Sequence, residues 1–148
     1  MPIEVKIKKL DSRAVLPTYG SEYAAGADLR ALLDCDVLSI PAGKTILIHT
    51  GLCAEIPEGY AGLIYARSGL ASKKGLAPAN KVGVVDSDYR GEIMVALHNH
   101  SNDDTTIENG ERIAQLVITP FLKVLYKEYS QLEDTKRGTG GFGSTGEH

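Results

Sequence analysis

Apolar and polar residues alternate with a period of two along much of this chain, and a glycine cuts the pattern every 6–10 residues. Ile3, Val5 and Ile7 alternate with charged residues, Ile46 and Ile48 with Leu47 and His49, and Ile93, Val95 and Leu97 follow Glu92 in the same way. Successive strand side chains point to opposite faces, so each segment reads as a half-buried strand. Residues 112–118, Arg-Ile-Ala-Gln-Leu-Val-Ile, are more continuously apolar, as for a strand covered on both faces. Glycines 43, 51, 59, 69, 75, 83 and 91 bound these runs. Short strands at such spacing predict an all-β sandwich or barrel. Pro41, Pro57, Pro78 and Pro120 fall at run boundaries, where a missing N–H is tolerated. The one helix expected is a turn or two over Ser68–Lys74, with Ser68 as its N-cap, after a strand at 60–66.

A chain of 148 residues suits one domain with a real core. With 43% apolar residues, 24% charged residues and a net charge of −3, disorder and a basic nucleic-acid surface are both excluded. No apolar run reaches the ~18–20 residues of a membrane span. The first residues, MPIEVKIKKLDS, resemble neither a signal nor a transit peptide, so a cytoplasmic protein, or a nuclear one in a eukaryote, is expected. Cys35 and Cys53 form no C-x-x-C and read as reduced thiols. His98 and His100 share a strand face without a third ligand residue for zinc. Asn99-His100-Ser101 matches a glycosylation sequon, which has no use in a protein that is not secreted. Five of the 16 glycines lie between 138 and 146, in a tail whose only large apolar residues are Leu132 and Phe142. The organisation expected is a β domain over 1–130 and an arm over 131–148 that is mobile or docks on something.

Four segments carry chemistry. Ala66-Arg67-Ser68-Gly69-Leu70 places a guanidinium beside free N–H groups at a helix start, an arrangement that suits phosphate, although a surface turn has the same composition. Residues 80–94, Asn-Lys-Val-Gly-Val-Val-Asp-Ser-Asp-Tyr-Arg-Gly-Glu-Ile-Met, read as a β-hairpin with a polar turn at 86–91. Asp86 directly follows an apolar strand, where a carboxylate can orient or deprotonate a water. In Gly110-Glu111-Arg112-Ile113-Ala114-Gln115-Leu116, Arg112 and Gln115 interrupt an apolar run and need either an internal carboxylate or a ligand. In residues 137–146, Arg137, Phe142 and three hydroxyls sit among five glycines, a composition suited to nucleotide contact and also to a loose tail.

In this order, and joined by Ala25-Gly26-Ala27-Asp28-Leu29-Arg30-Ala31, the segments resemble the five motifs of the trimeric dUTP pyrophosphatase (dUTPase) family across residues 25–146. Thr139 stands where the family's arm often has Ser, and Val85 where Ile is common. The resemblance implies a distorted β jelly-roll, a homotrimer with three composite sites, and hydrolysis of dUTP to dUMP and pyrophosphate. That reaction keeps uracil out of DNA and supplies dUMP for dTMP synthesis. It implies that Asp86 activates the attacking water, and that Asp28 orders the water shell of a Mg2+ ion carried mainly by the triphosphate. Arg67, Ser68, Gly69 and Gln115 would contact phosphates, with Arg112 in a supporting ion pair. Asn80, Gly83, Val84, Val85 and Met94 would form a uracil slot, and Tyr89 would lie under the sugar and exclude a ribose 2′-hydroxyl. Arg137, Phe142, Gly143 and Ser144 would close over a neighbouring subunit's nucleotide, Phe142 stacking on uracil and Arg137 reaching the γ-phosphate. Two other readings of such a chain are a dCTP deaminase-like enzyme and a non-catalytic nucleotide-binding regulator of the same fold.

Overall fold

The structure, a computed structural model, describes residues 1–143. It is all-β with one short helix, as the alternation predicts. A four-stranded sheet holds β1 (Lys6–Lys9), β5 (Thr45–Glu55), β9 (Glu92–Asn99) and β7 (Leu76–Pro78), in that order. A five-stranded sheet runs β2 (Thr18–Tyr19), β3 (Ala27–Arg30), β11 (Arg112–Pro120), β6 (Tyr60–Tyr65) and β8 (Gly83–Val85). A third sheet pairs β10 (Thr105–Glu108) with β4 (Val37–Ile40). Every strand pair among the described residues is antiparallel.

One apolar cluster joins the three sheets. Leu29, Ile64, Ile113 and Leu116 come from the five-stranded sheet, Ile48, Leu52, Ile93 and Leu97 from the four-stranded sheet, and Ile40 and Ile107 from the third. Each such side chain contributes about 1.5–3 kcal/mol when fully buried. Strand β9 shows the alternation most plainly: Ile93, Val95, Leu97 and Asn99 are buried, while Glu92, Met94, Ala96 and His98 are half-buried on the opposite face. Asn99 is the polar exception in the core, and all its hydrogen-bonding capacity is used. Its Nδ2 donates to the carbonyls of Ile40 (2.9 Å) and Asp103 (2.8 Å), and its Oδ1 accepts from the N–H and hydroxyl of Ser101. The Asn99 of the sequon is therefore a buried node between sheets.

Four local expectations are corrected. The N-terminal strand holds only Lys6–Lys9, because Lys6 already pairs with Glu55, the last residue of β5, and Ile3 and Val5 have no further strand to join. Arg112 is exposed rather than buried, since the β11–β3 register shifts between Arg112 and Ala114 and turns Ile113 and Ala114 together into the core. The N-cap of α1 (Ser68–Lys74) is Arg67, not Ser68, and it makes no side-chain capping bond because its guanidinium is engaged elsewhere. Residues 80–94 do not pair as a hairpin: β8 pairs with β6. Strand β9 has β5 on one edge, and on the other only Leu97–Asn99 pair with β7, so the start of β9 faces β8 without pairing to it. The two arms of the expected hairpin part into different sheets and leave a space between them.

The last strand ends at Pro120, and residues 121–143 carry neither strand nor helix. No helix among the described residues is long and apolar enough to cross a membrane.

Candidate active site

The space between β8 and β9 is a cavity of about 270 Å³. Asn80 and the Gly83–Val85 strand line one side, and Met94 and Ala96 of β9 line the other. Leu47, paired with Ala96 across the β5–β9 ladder, and Pro78 complete the apolar wall. All the residues expected to hold the base are thus brought to one slot. Leu47 could not be found from the sequence, because only the strand register carries it to residues some fifty positions away.

Asp86 borders this slot and also a second, more polar cavity shared with Ser87, Asp88 and Arg90. Its side chain is exposed, and among the described residues nothing hydrogen-bonds to its carboxylate. The turn that presents it is well tied. The Tyr89 N–H donates to the Asp86 carbonyl at 3.2 Å, and Arg90 Nη1 donates to the Ser87 carbonyl at 2.6 Å. The Tyr89 hydroxyl donates to the Glu92 carbonyl at 2.8 Å. This folds the tyrosine ring across Gly91, where a Cβ would stand 2.5 Å from the hydroxyl oxygen. Glycine at 91 is what lets Tyr89 lie down along the slot.

A separate polar cavity of about 260 Å³ gathers Asp28, Arg67, Ser68, Gly69, Arg112 and Gln115. Asp28, on β3, is buried and accepts two guanidinium groups. Arg67 Nε donates to Oδ1 at 2.9 Å, and Arg112 Nη1 donates to Oδ2 at 3.3 Å. Arg112 therefore has the internal carboxylate partner that its place in the sequence asks for. Gln115 sits beside Asp28's strand, and its Nε2 donates to the Ala66 carbonyl at 2.9 Å. Its side chain lies so close over Gly26 that any Cβ there would collide with it. Gly26 and Gln115, 89 positions apart, are thus one packing unit, a relation the sequence alone does not signal. The cavity can take an anion on its arginines and Ser68 hydroxyl. Among the described residues no group of three His, Cys, Asp or Glu side chains converges to cage a metal.

The slot and the polar cavity have no lining residue in common. The described arm residues line neither. Arg137 Nε donates to the Gly140 carbonyl at 2.7 Å, and Phe142 is fully exposed. Gly143 closes the described part of the arm, and Ser144 lies outside the described residues. His98 and His100 meet edge-on with ring centroids 4.4 Å apart, and Thr45 Oγ1 is 2.8 Å from His98 Nδ1. Slight desolvation of the exposed ring, then the charges of Lys81 and His98, hold His100 below the usual imidazole range.

Comparison with known proteins agrees with this geometry. A sequence model described as dUTPase matches residues 12–146. The deoxyuridine 5'-triphosphate nucleotidohydrolase of Rickettsia bellii (strain OSU 85-389) is 48% identical over 144 residues, 97% of this chain and 95% of that protein. The protein of the same name from Desulfitobacterium hafniense (strain DSM 10664 / DCB-2) is 49% identical over 147 residues, covering 97% of both. Among solved structures, the Staphylococcus bacteriophage 80alpha dUTPase with dUPNHPP superposes with a TM-score of 0.85 at 28% identity, covering 97% of this chain and 98% of that one. On the strength of a family match over nearly its whole length, this chain belongs to the dUTPase family, enzymes that hydrolyse deoxyuridine 5'-triphosphate.

Proposed function

We propose that this chain cleaves dUTP to dUMP and pyrophosphate by in-line attack of a water on the α-phosphorus, with Asp86 as the general base. The observation that carries this reading is the Asp86 carboxylate, free of hydrogen-bonding partners among the described residues and bordering the base-sized slot. An unpaired carboxylate can accept a water proton, and holding that water in line with the phosphorus removes much of the entropic barrier. The backbone of Gly83, Val84 and Val85, with Asn80 and Met94, takes uracil. Donors and acceptors set for uracil's O4 and N3–H meet the reversed pattern in cytosine, which leaves buried groups unpaired. The narrow wall opposite has no room for a 5-methyl group, and Tyr89 lies under the deoxyribose.

Arg67, Ser68, Gly69 and Gln115 bind the phosphates. Asp28 fits Mg2+ only at one remove. Each of its oxygens already accepts an arginine, and among the described residues no protein cage surrounds it. Its remaining lone pairs suit water molecules of a hydrated ion that takes its direct ligands from the triphosphate. When bound, the ion would offset charge on the phosphate oxygens.

The enzyme works as a homotrimer. Slot and phosphate cavity share no lining residue, which supports a site built from two copies of the chain. Leu122, Leu125 and Tyr126, each about nine-tenths exposed in the isolated chain, supply apolar surface of the kind that marks an interface. The arm, through Arg137, Phe142, Gly143 and Ser144, closes over a neighbour's nucleotide.

The test is Asp86→Asn with dUTP and magnesium. Binding of a non-hydrolysable dUTP analogue is expected to persist within severalfold, while pyrophosphate release falls by ~10²–10⁴-fold. A near-normal rate would remove Asp86 as the base.

A further inference from the structure

The backbone ladder between β5 and β9 breaks beside the slot. Partners run to His49↔Met94 and resume only at Cys53↔Glu92. Across this gap the start of β9 is held by side chains instead. The Glu92 carboxylate, with only 18% of its side chain exposed, lies 2.7 and 3.1 Å from His49 Nδ1 through its two oxygens. It also accepts the Gly51 N–H at 3.4 Å, and the buried Thr50 hydroxyl donates to the carbonyl of the next residue, Ile93. The main-chain carbonyl of Glu92 is the acceptor for the Tyr89 hydroxyl. One residue therefore faces two ways: its side chain is anchored to β5, and its backbone fixes the tyrosine.

We propose that Glu92, held by His49, is a positioning residue for Tyr89 and thereby sets discrimination between deoxyribose and ribose at the slot. The proposal rests on reading Tyr89 as the surface beneath the sugar. Glu92 borders the slot, but its carboxylate is turned to His49 and the Gly51 N–H, so it bears on Tyr89 through its main chain. With the anchor removed, the start of β9 keeps only the Cys53 pair and the Thr50–Ile93 bond across the break. The Glu92 carbonyl then shifts, the ring rises off Gly91 less rigidly, and a 2′-hydroxyl is no longer refused. His49 lines no part of the slot, and reaches it through the Glu92 carboxylate and through its ladder pair with Met94.

The test compares kcat and KM for dUTP and UTP in the full-length enzyme with magnesium, across Glu92→Ala, Glu92→Gln, His49→Ala, Tyr89→Phe and Tyr89→Ala. Glu92→Ala and Tyr89→Phe are each expected to lower the dUTP-to-UTP ratio of kcat/KM about tenfold, more through KM than kcat. The double variant is expected to fall no further than either single one, because both remove the same anchor. Glu92→Gln, which keeps an acceptor oxygen, is expected to restore most of the ratio, and His49→Ala to lower it about threefold. An unchanged ratio in Glu92→Ala, or additive losses in the double variant, overturns the proposal. If Glu92→Ala does not fold, an unchanged ratio in the mostly exposed His49→Ala overturns it instead. An unchanged ratio in Tyr89→Ala would overturn the reading of Tyr89 itself, an outcome distinct from failure at Glu92 alone.

Discussion

Asp28, Asp86 and Asp11 carry the same side chain into three environments, and their neighbours decide what each can do. Two guanidinium groups pin Asp28, one on each oxygen, which leaves its remaining lone pairs for waters. Asp86 has no partner among the described residues, so its carboxylate is open to an incoming water. Asp11 is claimed by Arg13, whose side-chain hydrogen bonds, followed by its backbone N–H, hold the carboxyl down to about 2 from an ordinary 3.8. A depressed folded-state value means the stability it contributes is complete above about pH 4 and is lost as pH falls through about 2. Carboxyl carbon shifts followed by NMR are expected to place the Asp11 midpoint near 2, and Arg13→Ala to return it to the ordinary range. A midpoint unmoved by that substitution would show that Arg13 is not the cause. The sequence offers Asp28 and Asp86 as chemical candidates through motif position, but which of them stays free depends on arginines 39 and 84 residues from Asp28.

At the scale of the element, strand identity was legible and strand partnership was not. Alternation in residues 92–99 names the buried face of β9 correctly, since period two is a property of one strand by itself. The hairpin expected over 80–94 fails because β8 pairs with β6 in one sheet while the start of β9 pairs with β5 in another, a choice of partner that local pattern does not carry. That failure creates the slot. The short pair β4–β10 was missed altogether, for four-residue strands 60 or more positions apart carry little local signal. Asn99 binds these pieces together, joining the end of β9 to Ile40 of β4 and to the 101–103 turn. Asn99→Ala leaves buried carbonyls and a serine without partners, and is expected to cost about 2–4 kcal/mol in urea unfolding. A loss under 0.5 kcal/mol would mean that water replaces the amide there.

On the scale of the whole molecule, one chain holds the parts of a site without assembling them. The slot, the polar cavity around Asp28 and the arm lie apart within the described residues, with Arg137 bonded to its own loop and Phe142 exposed. The proposed trimer brings such parts together between copies. Removing residues after Lys136 is then expected to leave oligomeric state and melting temperature unchanged, because none of the described residues removed is part of the core. Turnover of dUTP is expected to fall by more than about tenfold, since closure expels water and orders the triphosphate. Size-exclusion chromatography with light scattering and a pyrophosphate assay measure both, and undiminished turnover would end the lid role.

By itself the sequence determined the all-β class, the buried faces, the five motifs and hence the family. These are written in local periodicity and in residue types at fixed spacing, which need no knowledge of distant contacts. Only the tertiary structure decided that β8 leaves β9, that Arg67 serves Asp28 instead of the helix cap, and that Glu92 stands between His49 and Tyr89. Each of these depends on competition for sheet edges and hydrogen-bond acceptors among segments far apart in the chain. Such competition is settled only when all the segments occupy the same core.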